Sequence, residues 1–236
     1  FGSDAWEYDA EDATRAACLA RRFDALSFRE LSGTENAGKY LGVDSLVVPD
    51  PTLLLSAEDY LSVAVCGDCM SGTYADDEES AQSSHSLFEY ILDRTPQTLE
   101  LVHEVECRFY EAPYFCGQLK INKFLAADPR GTGAIGTRVQ PSVESWIAGI
   151  ASADFVLTDS FHACVFSILF HRPFAVIGNS ARGLSRIEWL LGQLGLADRI
   201  VSAGNVPTKN IDWEKVDVKL SELRAKAMEF LNKNLR

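Results

Sequence analysis

Between Asp154 and Arg186 two short apolar runs each break abruptly into a polar turn and a helix-forming segment, and this double junction constrains the fold more than any other stretch. Phe155-Val156-Leu157-Thr158 is too short for anything but a buried strand. Asp159-Ser160 follow, then Phe161 to Phe170, apolar nearly all round and therefore a buried helix capped by Asp159 or Ser160, with His162 in its first turn. The second run, Pro173 to Ile177, passes through Gly178-Asn179-Ser180-Ala181-Arg182-Gly183 into a helix from Ser185 to Leu194, its start flanked by Arg182 and Arg186. Consecutive strand-to-helix junctions in a parallel sheet put both helix N-termini at the carboxyl edge, where open α/β sheets bind ligands. Unpaired N–H groups and the positive dipole end favour an anion there. His162, Arg182 and Arg186 are thus expected to converge on one crevice.

An anion needs a local basic cluster here, because the chain as a whole is acidic: 22 Lys and Arg against 34 Asp and Glu, a formal charge of −12. That balance argues against nucleic acid or an acidic membrane surface as the main partner. The 236 residues suffice for one large domain or two small ones, and 47% hydrophobic with 24% charged residues is the composition of a soluble globular protein. The longest apolar stretch, Phe161 to Ile177, is interrupted by His171-Arg172-Pro173 and falls short of an integral membrane segment. No signal peptide is visible. The six cysteines are scattered, several inside apolar segments, which reads as reduced, cytoplasmic usage. Cys66-Gly67-Asp68-Cys69 is a lone C-x-x-C without two further ligands at partnered spacing, so no metal site is expected from it. Phe1-Gly2-Ser3 opens the chain without methionine and reads as part of a longer protein.

The remaining segments follow the same rhythm. Asp9 to Arg22 is expected as a helix, Phe23 to Phe28 as a strand, and a second helix, capped by Ser32 or Thr34, runs to Leu41 and ends at Gly42. Val43 to Val48 is the next strand, stopped by Pro49-Asp50-Pro51, which forces a turn before Thr52 to Leu55. Helix, strand, helix, strand is the order of a parallel α/β sheet. Ser56 to Glu89, with its glycines and the run Asp76-Asp77-Glu78-Glu79, reads as a linker or mobile surface segment. Tyr90-Ile91-Leu92 then reads as a strand, and Pro96 to Cys107 as a helix with an apolar face at Leu99, Val102 and Val105. Gly131 to Gly136 matches G-x-G-x-x-G, but Asp128-Pro129 and Pro141 deny it the strand and helix a dinucleotide fingerprint needs, so it is read as a loop. Pro141 to Ala153 is a helix capped by Ser142, with Val143, Ile147 and Ile150 apolar. Leu196 to Val201 returns to the sheet, and Trp213 to Leu235 is an amphipathic closing helix.

Three stretches together resemble the polysaccharide pyruvyl transferase family: Phe23 to Leu55 with "FDALSFRELSG" and "DPTLLL", Trp146 to Ile177 with "ADFVLTDSFHACVFSILFHRPFAVI", and "NSARGLSRIEWLL" from Asn179 to Leu191. The resemblance implies an α/β fold of Rossmann-like parallel sheets, the carboxy-terminal part of a GT-B-like two-domain transferase. Most of the amino-terminal Rossmann-like domain would be missing: 1–57 a remnant of it, 58–89 a linker or mobile loop, and 90–236 the carboxy-terminal Rossmann-like domain with its closing helix. The implied activity moves pyruvate from phosphoenolpyruvate onto a sugar of a cell-surface polysaccharide or its precursor as a ketal, releasing phosphate. No cofactor is implied, phosphoenolpyruvate being the donor substrate, and the acceptor would be a glycan or a lipid- or nucleotide-linked sugar in the cytoplasm. Where the family usually shows Gly after the "SFH" histidine, this chain has Ala163-Cys164.

Phosphoenolpyruvate carries a phosphate and a carboxylate, so its site needs cationic donors in two places and a group to move a proton at the vinyl carbon. Arginine suits both anions by its planar fork. By resemblance Arg29, in "SFRE", binds the donor, and His162 makes a direct donor contact with an acid/base role; histidine titrates in the right range for that. Arg182 and Arg186 are candidates for the departing phosphate or a nucleotide-linked acceptor, and Ser160, Phe161 and Asn179 for substrate contacts at the same junctions. Structural alternatives stand beside these: His162 as a buried donor, Arg29 paired with Glu30 or Glu35, Arg186 with Glu188. Asp159, Ser160 and His162 are no hydrolase triad, because neighbours on a helix diverge. The rival functions are a nucleotide-sugar glycosyltransferase of GT-B type and an inactive sugar-binding or assembly subunit. The sequence assigns no oligomeric state.

Overall fold

The computed structural model describes residues 9–66, 85–111, 119–123, 142–179, 183–201, 205–207 and 210–235. They form two compact units that do not follow chain order: Phe1–Leu54, Gly178–Asp198 and Ile211–Arg236 make one, and Leu55–Ile177 with Arg199–Asn210 the other. Among the described residues no helix is long and apolar enough to cross a membrane.

In the first unit, α1 (Ala10–Ala20) starts where the Asp9 carboxylate accepts the Asp12 N–H at 2.8 Å. A two-stranded parallel sheet follows, β1 (Ser27–Phe28) pairing with β2 (Leu46–Val47). Both strands are shorter than the apolar runs suggest. Between them α2 (Leu31–Asn36) passes into a π-helical turn, Ala37–Leu41, which ends at Gly42 as expected. Neither Ser32 nor Thr34 caps α2. The helix begins at Leu31 with Glu30 in the capping position and no side-chain cap, because the chain coils directly off the strand. Helix α7 (Leu184–Leu194) packs on α8 (Trp213–Asn234), which buries Val216, Leu220, Leu223 and Ala227, and α8 rests on the 3-10 turn Pro51–Leu54, where the Arg224 guanidinium donates to the Leu53 carbonyl.

The second unit is a five-stranded sheet, β3 (His85–Tyr90), β4 (Leu119–Lys123), β5 (Phe155–Thr158), β6 (Phe174–Ile177) and β7 (Ile200–Val201), in the order β4-β3-β5-β6-β7 with every pairing parallel. The parallel α/β expectation therefore holds. Full burial of all four residues in β5 and in β6 is what a parallel sheet covered on both faces demands. One face carries Leu87, Phe155, Leu157, Ala175 and Ile177 against Val102 and Val105 of α4 (Pro96–Glu111). On the other, α5 (Val143–Ser152) and α6 (Phe161–Leu169) pack together, Trp146 meeting Phe166 edge-on at 5.1 Å. At Gly149 an added Cβ would stand 2.4 Å from the Phe88 ring, so the missing side chain is what lets α5 settle on β3.

Several expectations change here. Part of the stretch read as linker is ordered: α3 (Ala57–Cys66) starts at a reciprocal cap in which the Ser56 N–H donates to Asp59 and the Asp59 N–H to the Ser56 hydroxyl, and it packs on α5. The strand placed at Tyr90-Ile91-Leu92 is instead His85–Tyr90, and glycine and acid content upstream masked its start. Residues 67–84, which hold the acidic run and Cys69, lie outside the described residues, as does the G-x-G-x-x-G stretch at 131–136. Leu99 and Val143, expected on apolar faces, are 41% and 68% exposed; each lies about a turn ahead of the first buried apolar residue of its helix, Val102 and Ile147.

Candidate functional site

The strand order creates a reversal at the centre of the sheet. From β3 the chain moves outward to β4, then returns to add β5 on the opposite side of β3. The connections leaving the carboxyl ends of β3 and β5 therefore part, one to α4 on one face and the other to α6 on the other. Such a switch point leaves a crevice at the carboxyl edge, where open α/β sheets take their ligands.

The residues at this edge are Thr158, Asp159 and Ser160 from β5, with Tyr90, Leu92 and Asp93 from β3. The Thr158 hydroxyl donates to the Tyr90 carbonyl at 2.6 Å and accepts the Ser160 N–H at 3.0 Å. The buried Asp159 carboxylate accepts the Leu92 N–H at 2.7 Å and the Asp93 N–H at 2.9 Å. Burial, together with the nearby charge of Asp93, pushes the Asp159 carboxyl above the usual carboxylate range, although these N–H bonds work in the opposite direction. The Ser160 hydroxyl accepts the Ala163 N–H at 3.4 Å and so, of the two expected candidates, is the cap of α6. Thr158 and Asp159 thus tie the end of β5 to that of β3 across the switch point, while Ser160 fixes the start of α6.

His162 stands one residue into the helix that this arrangement launches. It is exposed while every residue from Phe155 to Ser160 is buried, and so is each of the eight other residues of α6. Its ring meets the edge of the Phe161 ring at 5.4 Å, which gives the imidazole an apolar flank. Cys164 lies fully buried two residues on, and desolvation pushes its thiol far up, so it is no nucleophile.

The other sequence-derived candidates fall in the first unit. Arg29, at the end of β1, pairs through Nη1 with the Asp50 carboxylate at 2.7 Å. Asp50 is 5% exposed and also accepts the Thr52 N–H at 3.0 Å. Burial raises its pKa, but the Arg29 guanidinium and the hydroxyl and N–H of Thr52 together bring it below the usual carboxylate value. Asn179 is half-buried two residues beyond β6. Arg186 sits in the first turn of α7, its guanidinium folded over Gly183: a Cβ there would lie 2.6 Å from Nε and 2.7 Å from Nη2. Gly183 holds φ +76°, so both its conformation and its lack of a side chain are used. Arg182 lies outside the described residues. Ser160, Phe161 and His162 are thus brought together at the switch point, whereas Arg29, Asn179 and Arg186 belong to the other unit. Leu92 and Asp93, missed from sequence, carry no local signal: their role depends on β5 lying beside β3.

The polysaccharide pyruvyl transferase family model matches residues 5–181 of this chain. No curated protein and no solved structure matches it.

Proposed function

The chain belongs to the polysaccharide pyruvyl transferase family and is an enzyme of that kind, and on this premise we propose that it takes pyruvate from phosphoenolpyruvate and joins it as a ketal to a sugar of a polysaccharide or its precursor. The observation that carries the reading is His162, exposed on the first turn of the helix leaving the switch point, above three polar side chains committed to holding the backbone. In the proposed reaction His162 gives a proton to the methylene carbon of the donor, which leaves the carbon beside the carboxylate electrophilic. A sugar hydroxyl adds to that carbon and passes its proton to the histidine. A second hydroxyl then displaces the phosphate, which leaves with the remaining proton. Two C–O bonds form, one C–O bond breaks, and the methylene becomes a methyl.

Arg29, Arg182 and Arg186, with Ser160, Phe161 and Asn179, remain the proposed contacts for the anionic groups and the acceptor. A GT-B-like two-domain arrangement and a cytoplasmic location belong to the same proposal and rest on the family resemblance. The test is phosphate release from phosphoenolpyruvate in the presence of acceptor. His162→Gln is expected to keep the fold and lose about 10²- to 10⁴-fold in turnover, the usual worth of a general acid/base. A folded His162→Gln enzyme with undiminished phosphate release would refute the assignment.

A further inference from the structure

We propose that Arg94, on the connection from β3 to α4, is the residue that grips the anionic group of the substrate at the switch point. This deepens the reading above and rests on it, adding a residue that the family motifs do not include.

The backbone carrying Arg94 is anchored on both sides. Before it, the Leu92 and Asp93 N–H groups are held by the Asp159 carboxylate at 2.7 and 2.9 Å. After it, the Thr95 hydroxyl accepts the Thr98 N–H at 3.1 Å and caps α4. Arg94 is therefore fixed at its base to the end of β5, the strand that launches the His162 helix. Its side chain is exposed and makes no hydrogen bond or ion pair among the described residues. An arginine held at its base with an uncommitted guanidinium loses little backbone entropy when it meets a ligand.

Charge selects the ligand. The two connections that border the crevice, 91–95 and 159–162, contain two carboxylates, Asp93 and Asp159, and one cation fixed at neutral pH, Arg94. In a chain of net charge −12, a substrate carrying both phosphate and carboxylate would be repelled from this edge without it. The planar guanidinium fork pairs with either oxyanion in two parallel hydrogen bonds. The recognised chemistry is thus an oxyanion, from phosphoenolpyruvate or from a phosphate linked to the acceptor.

Kinetics and protection separate these sources. Arg94→Ala is expected to raise the KM for phosphoenolpyruvate about 10- to 100-fold, the loss of a hydrogen bond to a charged group, with a smaller change in kcat. Arg94→Lys should recover part of it, and Arg108→Ala, an exposed arginine near the far end of α4, should change neither constant. Phosphoenolpyruvate and inorganic phosphate should each protect Arg94 from phenylglyoxal, read by peptide mass spectrometry. A rise confined to the acceptor KM would place the oxyanion on the acceptor and still support Arg94 as its grip. Unchanged KM values for both substrates, with no protection, would overturn the proposal. That failure is distinct from undiminished turnover in His162→Gln, which refutes the catalytic reading while leaving the protection experiment to be decided on its own.

Discussion

Asp159→Ala is the sharpest test of the switch point as a mechanical element. The wild-type carboxylate satisfies the Leu92 and Asp93 N–H groups inside the protein. Alanine leaves both without an acceptor, at about 1–3 kcal/mol each. Removing a buried charge works the other way, because burial already holds this carboxyl above its ordinary range. The balance should be a loss of about 2–4 kcal/mol, built from those per-bond costs. Asp159→Asn keeps one acceptor oxygen and should lose about half as much. Urea unfolding gives the magnitude, and amide exchange at Leu92 and Asp93 shows whether the loss is local. A folded Asp159→Ala within about 0.5 kcal/mol of the parent would refute the reasoning, since that is the range of an indifferent surface change. The pH dependence has a definite sign. With the folded pKa above the reference value of 3.8, the folded protein takes up this proton first as pH falls. Ionised Asp159 therefore costs stability above its folded pKa, and the cost is relieved as pH falls towards 3.8. Asp159→Asn should erase that component.

The Arg29–Asp50 pair behaves in the opposite sense. Its stabilisation is present above the unfolded carboxylate pKa and is lost as pH falls through the lowered folded value, so Arg29→Ala should flatten the acid limb of the stability profile. Because the Arg29 side chain is 29% exposed, the neutral-pH loss should stay near 1–3 kcal/mol, below that of a fully buried pair; no measurable loss would make the pair incidental. His171 ends α6 with φ 52°, in the position where Arg172 N–H returns to the Ser167 carbonyl at 2.8 Å, a place that favours glycine. His171→Gly should gain about 0.5–1 kcal/mol, visible as a higher thermal midpoint, and a loss of that size would contradict it.

Local chemistry was legible wherever a signal lay within a few residues. Asp9, Ser142 and Ser160 cap their helices as polar residues ahead of apolar periodicity should, and the four-residue strands Phe155–Thr158 and Phe174–Ile177 fell where a short apolar run left no alternative. The Ser56–Asp59 cap was equally local, and its signal was present, but the acidic and glycine-rich composition of the wider stretch outweighed it. What stayed hidden was non-local. Nothing near Asp159 reveals that its partners lie 66 and 67 residues earlier, because strand order is set by how the whole sheet closes. The same ignorance kept Arg94 from view, while Arg182 and Arg186 stood out simply because glycine and a helix start surround them.

The division of labour in Thr158-Asp159-Ser160-Phe161-His162 bears on how such a protein can diverge. Thr158, Asp159 and Ser160 spend their polar atoms on main-chain groups, so altering any of them alters the scaffold. His162 is exposed on the first turn of α6, its ring against the edge of the Phe161 ring. A descendant can therefore exchange the histidine for another side chain in a single step, keep its fold and expression, and present a different reagent to the same crevice. Duplicated copies of this gene are free to lose or replace their chemistry while remaining well-folded proteins.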